Sequence, residues 1–213
     1  MFNGAGMLHQ VQIKAGKASY SNTYVKTPRY QIEDAMGQDQ YLHFGDLAGG
    51  GKAGLVRMAV AALKQRSGVL PALEVLESGS STTAVQYHHS KLYCLQETGY
   101  PFALNTRLEN GYLILDGEGE WDNFNGKLDG PFTAHPKIDP VTGDWYTFST
   151  QFSSGRLYHS VVRQGELAQH SVIDQQKPAL AFLHDYYLTE HYLVFPDLSL
   201  RFNPKDMFGP EKS

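Results

Sequence analysis

Nine histidines carry most of the chemistry this chain could do: His9, His43, His88, His89, His135, His159, His170, His184 and His191. Neutral imidazole is a common metal ligand and titrates near neutral pH. None of the nine falls in an HExxH motif or a closely spaced Cys/His zinc pattern. A metal site would therefore have to be assembled from distant segments. Two histidines stand out by context. His135 lies in "GPFTAHPKIDP", where Pro136 cannot donate to a strand ladder and keeps its predecessor extended. That suits a residue held at a strand end and facing a cavity. His184 lies in "FLHDYYL", with bulky apolar neighbours and Asp185 beside it. A dry setting favours the neutral, metal-binding imidazole. Taken alone, these residues leave two readings open for each histidine: a metal ligand, or a satisfied and partly buried side chain.

Among the carboxylates, Glu97 follows the apolar run "LYCL" and precedes a Gly-Tyr-Pro turn. A carboxylate there could orient a metal-bound imidazole from behind. Asp116, Glu118, Glu120 and Asp122 read as an acidic, Gly-rich loop. Their spacing is not that of a calcium-binding EF-hand, so a solvated loop is expected. Cys94, between Tyr93 and Leu95, reads as a buried small hydrophobe and not a nucleophile. A single cysteine excludes an intramolecular disulfide and fits a reducing compartment. No nucleophile elbow, phosphate loop or dinucleotide fingerprint is present. The formal net charge is −4 without a dense Lys/Arg cluster, which argues against a nucleic-acid surface.

The elements that must position these residues read as mostly β. Thirteen Tyr and 11 Phe accompany 21 Gly and 10 Pro, the composition of strands and tight turns. "MLHQVQIK", the turn "AGK" and "ASYSNTYVKT" form a hairpin whose first strand alternates as a half-buried strand does. Residues 34–51 read as a Gly-rich loop. The one convincing helix covers residues 52–66, with Leu55, Met58, Ala59, Ala62 and Leu63 at helical spacing; it is expected to pack through that face. "TTAVQYHH" and "SKLYCLQET" form a second hairpin. Short strands follow in "GYLIL", "DWYTFSTQF", "RLYHSVVRQ" and "LAQHSVID", with two more in "PALAFLHDYYLTEHYLVFPDLSLRFNP". This spacing implies a sandwich, barrel or propeller, and no strict repeat is present.

Several segments together resemble the carotenoid oxygenase family, which includes the carotenoid cleavage dioxygenases, the retinal pigment epithelium isomerase and the stilbene-cleaving oxygenases. "NGAGMLHQVQIKAGKASYSNTYVKTPRY" is similar to the family's early hairpin. "STTAVQYHHSKLYCLQETGYPFAL" resembles its next hairpin. "LDGPFTAHPKIDPVTGDWYTF" and "FLHDYYLTEHYLVFPDLSLRFNP" resemble the segments with its first two iron-ligating histidines. The resemblance implies an all-β, seven-bladed propeller with iron(II) on the axis, held by four histidines from different blades. It makes His135 and His184 two iron ligands, Glu97 the carboxylate behind one of them, and His9 structural. The implied reaction is oxidative cleavage by O2 of a conjugated double bond in an apolar polyene, giving two carbonyl products. It also implies an aromatic-lined tunnel and a nonpolar patch that meets the membrane in the full-length protein.

The sequence departs from that pattern after His184, where only His191 remains, at a position with no ligand role. The expectation is a single incomplete propeller domain over residues 1–213, lacking the first strands and the C-terminal blades, with the helix over 52–66 as its one helical insertion. Unpaired strand edges and two ligands out of four would then impair iron binding. The alternative reading is an inactive propeller fragment that binds apolar ligands or protein partners. The opening "MFNGAGMLHQ" lacks a charged start followed by an apolar run, so no targeting segment is read. Plastid and cytoplasm both remain open.

Overall fold

The first hairpin reverses the side expected to be buried. β1 (Met7–Lys14) and β2 (Lys17–Tyr24) pair antiparallel, from Met7 opposite Tyr24 to Lys14 opposite Lys17. Ala15 and Gly16 both take positive φ at the turn, as a tight two-residue hairpin requires. The apolar residues Val11 and Ile13 point outward and are 64% and 79% exposed. The face that turns inward carries Leu8, Gln10 and Gln12. Gln10 Nε2 donates to the Leu113 carbonyl at 3.1 Å. Gln12 pairs with the same residue twice, donating to its carbonyl at 3.1 Å and accepting from its N–H at 2.8 Å. Leu113 lies on an edge strand, and an open edge offers unpaired peptide groups. Amide side chains can satisfy that edge where Val or Ile could not.

The computed structural model describes residues 4–42, 51–151, 156–173, 180–181, 183–199 and 201–202. It is mostly β, with antiparallel sheets. One four-stranded sheet has the order β3 (Ala84–His88), β4 (Lys91–Leu95), β5 (Phe102–Glu109), β6 (Tyr112–Trp121). A second is made of β7 (Lys137–Ile138), β8 (Trp145–Gln151), β9 (Arg156–Arg163) and β10 (Glu166–Ile173), also in chain order. Two short pairs follow: β11 (Leu180–Ala181) with β14 (Arg201–Phe202), and β12 (Tyr187–Leu188) with β13 (Leu193–Val194).

Tyr93, Leu95, Phe124, Leu128, Phe132, Trp145 and Val162 form a core that draws on both four-stranded sheets and on the loop ahead of His135. Cys94, on the opposite face of β4, joins Leu8, Val25, Phe102 and Leu104 beneath the first hairpin. Burial pushes its thiol up to about 12, the inert state expected of it. A third cluster joins Phe148 and Leu157 to Tyr186.

Three expectations require correction. The fold has two α-helices among the described residues, not one. α1 (Pro28–Met36) overlaps the start of the expected loop over 34–51; residues 43–50 of that loop lie outside the described residues. Thr27 caps α1 by accepting from the Tyr30 N–H, Pro28 sits in its first turn, and Gly37 ends it at φ 67. The second helix, α2 (Gly51–Arg66), fits the predicted span, but its apolar face does not pack. Leu55, Met58 and Leu63 are exposed, Leu63 at 66%. Periodicity sets which residues share a face, not whether anything covers it.

The acidic loop is also a strand. Asp116, Glu118 and Glu120 lie within β6, and β5 adds a strand before them that the sequence reading does not place. Gly117 and Gly119 permit this arrangement. A Cβ on Gly117 would meet the Tyr24 carbonyl at 1.9 Å, and one on Gly119 the Ala103 carbonyl at 2.2 Å. Three of the four acids of the segment then find a cation. Asp116 pairs with Arg107, Glu118 with Lys26, and Asp122 with Lys91.

The reversed hairpin makes a direct test. Gln12→Ala is expected to lower unfolding free energy by about 1–2 kcal/mol, because it leaves the Leu113 N–H without its acceptor while the carbonyl keeps Gln10. Ile13→Thr, at an apolar but outward position, should stay within about 0.5 kcal/mol. Urea denaturation of both variants checks the order.

Candidate metal centre

Three chain segments converge on the two singled-out histidines. The first is the turn after β4, where Glu97 sits. Gln96 fixes that strand end: its Oε1 accepts from the N–H groups of Ser80 and Ser81 at 2.9 and 2.8 Å. Thr83 Oγ1 donates to Glu97 Oε2 at 3.4 Å. The second segment is the loop entering β7. The Phe132 N–H donates to the Gly99 carbonyl at 2.9 Å, tying the two segments together. A side chain at Gly99 would bring a Cβ to 2.6 Å from the Leu76 carbonyl, so the turn needs glycine. The His135 N–H donates to Thr133 Oγ1 at 3.1 Å in a local hydroxyl turn. Pro136 follows, and β7 begins at Lys137.

The third segment brings His184. Its Nε2 lies 3.0 Å from His135 Nε2, with the ring centroids 4.6 Å apart at 75°. Its Nδ1 lies 2.6 Å from Glu97 Oε1. The approach is not aligned as a ring N–H bond, so Oε1 remains a buried carboxylate oxygen without a hydrogen bond. Glu97, His135 and His184 thus form a cluster whose potential ligand atoms lie within 4.8 Å of one another. Two nitrogens about 3 Å apart match two neighbouring ligands each about 2.1 Å from a shared cation. A carboxylate behind a ligating imidazole selects the tautomer whose free nitrogen faces the cation. The donor set therefore fits a divalent metal.

His184 departs from expectation in one respect. Its apolar neighbours do not bury it: the side chain is exposed, while Glu97 and His135 are half-buried. Leu183 and Tyr186 turn into the core around Phe148, and the imidazole extends to Glu97 and His135.

The other described histidines lie outside this cluster. His9 bonds Tyr20 Oη at 2.7 Å on the outer face of the hairpin. His191 is exposed beside Glu190. His43 lies outside the described residues. His88 is buried and stacks on Trp145 at 4.3 Å. Burial, with His89 adjacent, holds its imidazole below the ordinary range. Burial does the same to His159.

His170 makes a contact the sequence does not advertise. Its Nδ1 bonds Ser160 Oγ at 2.7 Å and its Nε2 bonds Asp129 Oδ1 at 2.8 Å, with the ring flat on Tyr158. The composition is that of a hydrolase triad, but the two bonds are exchanged relative to the usual order. Ser160 is only 1% exposed, so no substrate carbonyl can reach it. The arrangement ties β9 and β10 to the loop that leads to His135.

No sequence motif marks Thr83, Lys137 or Tyr186. The adjacent "HPK" and "HDY" triplets hold the signal for the last two, since Lys137 Nζ lies 2.6 Å from Asp185 Oδ1.

Neutral buried histidines give a pH prediction. His88 and His159 have lowered native pKa values, so their stabilisation is complete above the unfolded value of about 6.5. It is lost as pH falls below 6.5 toward the depressed native values, because the unfolded chain takes up protons that the folded one resists. Thermal unfolding should therefore occur at lower temperature at pH 5.5 than at pH 7.5, and His88→Gln should flatten that dependence.

Comparison with known proteins shows what this arrangement is similar to. Residues 1–212 match the family model described as RPE65, retinal pigment epithelial membrane protein. The chain is 37% identical over 212 residues to carotenoid 9,10(9',10')-cleavage dioxygenase 1 of Arabidopsis thaliana, covering 99% of this chain and 38% of that protein. It is 30% identical to the chloroplastic 9-cis-epoxycarotenoid dioxygenase NCED1 of Oryza sativa subsp. japonica, covering 97% and 32%. The crystal structure of Pseudomonas brassicacearum lignostilbene dioxygenase superposes with a TM-score of 0.70 at 27% identity, covering 97% of this chain and 38% of that one. Cobalt-substituted Synechocystis ACO superposes with a TM-score of 0.60 at 25% identity, covering 91% and 38%. The chain thus spans less than half the length of these relatives.

Proposed function

This chain belongs to the RPE65/carotenoid oxygenase family, and from that premise we propose that it contributes part of the centre of a non-haem iron(II) dioxygenase that cleaves a conjugated double bond of a carotenoid or apocarotenoid. The observation that carries this reading is the 3.0 Å approach of His135 Nε2 and His184 Nε2, with Glu97 2.6 Å behind the second ring. The dioxygenase names of the relatives and the cobalt-substituted neighbour support it.

On this reading His135 and His184 are two of the metal's ligands. Glu97 Oε1 stands 2.6 Å behind the His184 ring at Nδ1, and Thr83 steadies the other oxygen of that carboxylate. When bound, iron(II) supplies the redox chemistry that lets O2 react with an apolar polyene. Imidazole donors suit iron and other first-row metals. The two four-stranded sheets would be two blades of a seven-bladed propeller whose remaining blades bring the further histidines. The exposed residues Leu55, Val56, Met58, Val60 and Leu63 of α2, with Arg57, Lys64 and Arg66 on the same helix, would form a nonpolar surface with basic residues that meets the membrane where such substrates dissolve.

Two imidazoles cannot hold iron(II) as four can, so the chain alone should retain well under one iron per molecule and form little apocarotenal. Anaerobic Fe(II) titration and product chromatography check this. Stoichiometric iron with turnover from this chain would overturn it. His135→Ala and His184→Ala should each reduce the residual affinity at least tenfold, and unchanged affinity in either variant would remove that residue from the site.

A further inference from the structure

Lys137 and Tyr186 join the two histidine-bearing segments directly. Lys137 lies two residues after His135, and Tyr186 two residues after His184. The Lys137 N–H donates to Tyr186 Oη at 3.3 Å. The Tyr186 hydroxyl donates to the Tyr146 carbonyl. Tyr146 is the residue opposite Lys137 in the β7–β8 ladder. One hydroxyl therefore accepts from one strand and donates to its neighbour. A second link runs beside it: Lys137 Nζ lies 2.6 Å from Asp185 Oδ1 and 5.5 Å from the centre of the Tyr186 ring.

Regular backbone pairing gives these segments little support. β7 has two residues and two ladder pairs. His184 precedes β12 by three residues and lies in no strand. What fixes the third segment is the Tyr186 ring, which is 1% exposed, edge-on to Phe148 at 5.1 Å and stacked on Phe195 at 5.3 Å. The ring anchors the segment in the core, and the hydroxyl sets its register against Lys137.

We propose that Tyr186, with the Lys137–Asp185 ion pair, is a positioning clamp that sets the separation of the His135 and His184 imidazoles before any cation binds. Its benefit to a divalent cation rests on the site reading above; the positioning itself does not. Metal sites tolerate ligand displacements of only a few tenths of an ångström. Ordering two imidazoles in advance removes part of the entropic cost of binding. The buried hydroxyl matters more than the partly exposed ion pair, because solvent screens the latter.

Ring-proton Overhauser effects between His135 and His184 in the metal-free chain test the clamp, with Co(II) titration as a second readout. The wild-type chain should show the cross-peak. Tyr186→Phe keeps the ring and removes the hydroxyl; it should lose the cross-peak and weaken Co(II) binding roughly tenfold, with amide resonances elsewhere unchanged. Lys137→Met should weaken the cross-peak less, and Lys137→Arg should restore it. An absent cross-peak in the wild type, or one unchanged in both Tyr186→Phe and Lys137→Met, would overturn the proposal. Loss of the cross-peak in Tyr186→Phe, with no Co(II) uptake even by the wild type, would uphold the clamp and overturn its connection to a cation.

Discussion

Two imidazole nitrogens 3.0 Å apart repel through their lone pairs unless a proton or a cation lies between them, and the middle of this chain is organised around that constraint. The rings come from segments 49 residues apart. Glu97 stands behind one ring and faces its other nitrogen. Gly99 accepts from Phe132, which ties the turn that carries Glu97 to the loop that carries His135. Tyr186 reaches from the third segment to the strands on which that loop ends. Each contact is ordinary in strength. Together they hold three irregular segments, which no long ladder could have aligned.

The sheets provide the rigid frame for those segments. Aromatic residues from both four-stranded sheets meet around Trp145, and the Phe132 ring packs against it 5.8 Å away, just ahead of His135. Packing therefore passes from the sheet core to the candidate site within three residues. Where a sheet ends, polar side chains substitute for the missing strand, as Gln12 does along β6. The apolar faces of β1 and α2 are the counterpart of this arrangement. Their periodicity is real, yet both turn outward.

How much was legible follows from what kind of information each feature needs. The first two hairpins and strands β8 to β10 depend on alternation and turn residues, and they form near their expected positions. α1 was harder to see because it is short; it is marked by Thr27, Pro28 and Gly37 more than by an apolar stripe. β6 was hidden by its own acids and glycines, which resemble a loop until the opposing backbones are in place.

The sequence by itself determined the β-rich architecture, the positions of most strands, and a short set of candidate residues: His135, His184 and Glu97. Their distances came only with the tertiary structure, since a separation of 3.0 Å between residues 49 apart depends on every turn between them. Tertiary structure also decided burial. It placed Gln12 inward and Ile13 outward, left His184 exposed among apolar neighbours, and buried the Tyr186 ring with its hydroxyl on Tyr146. Spacing along a chain fixes which side chains share a face. Only the packing of other elements determines what that face meets.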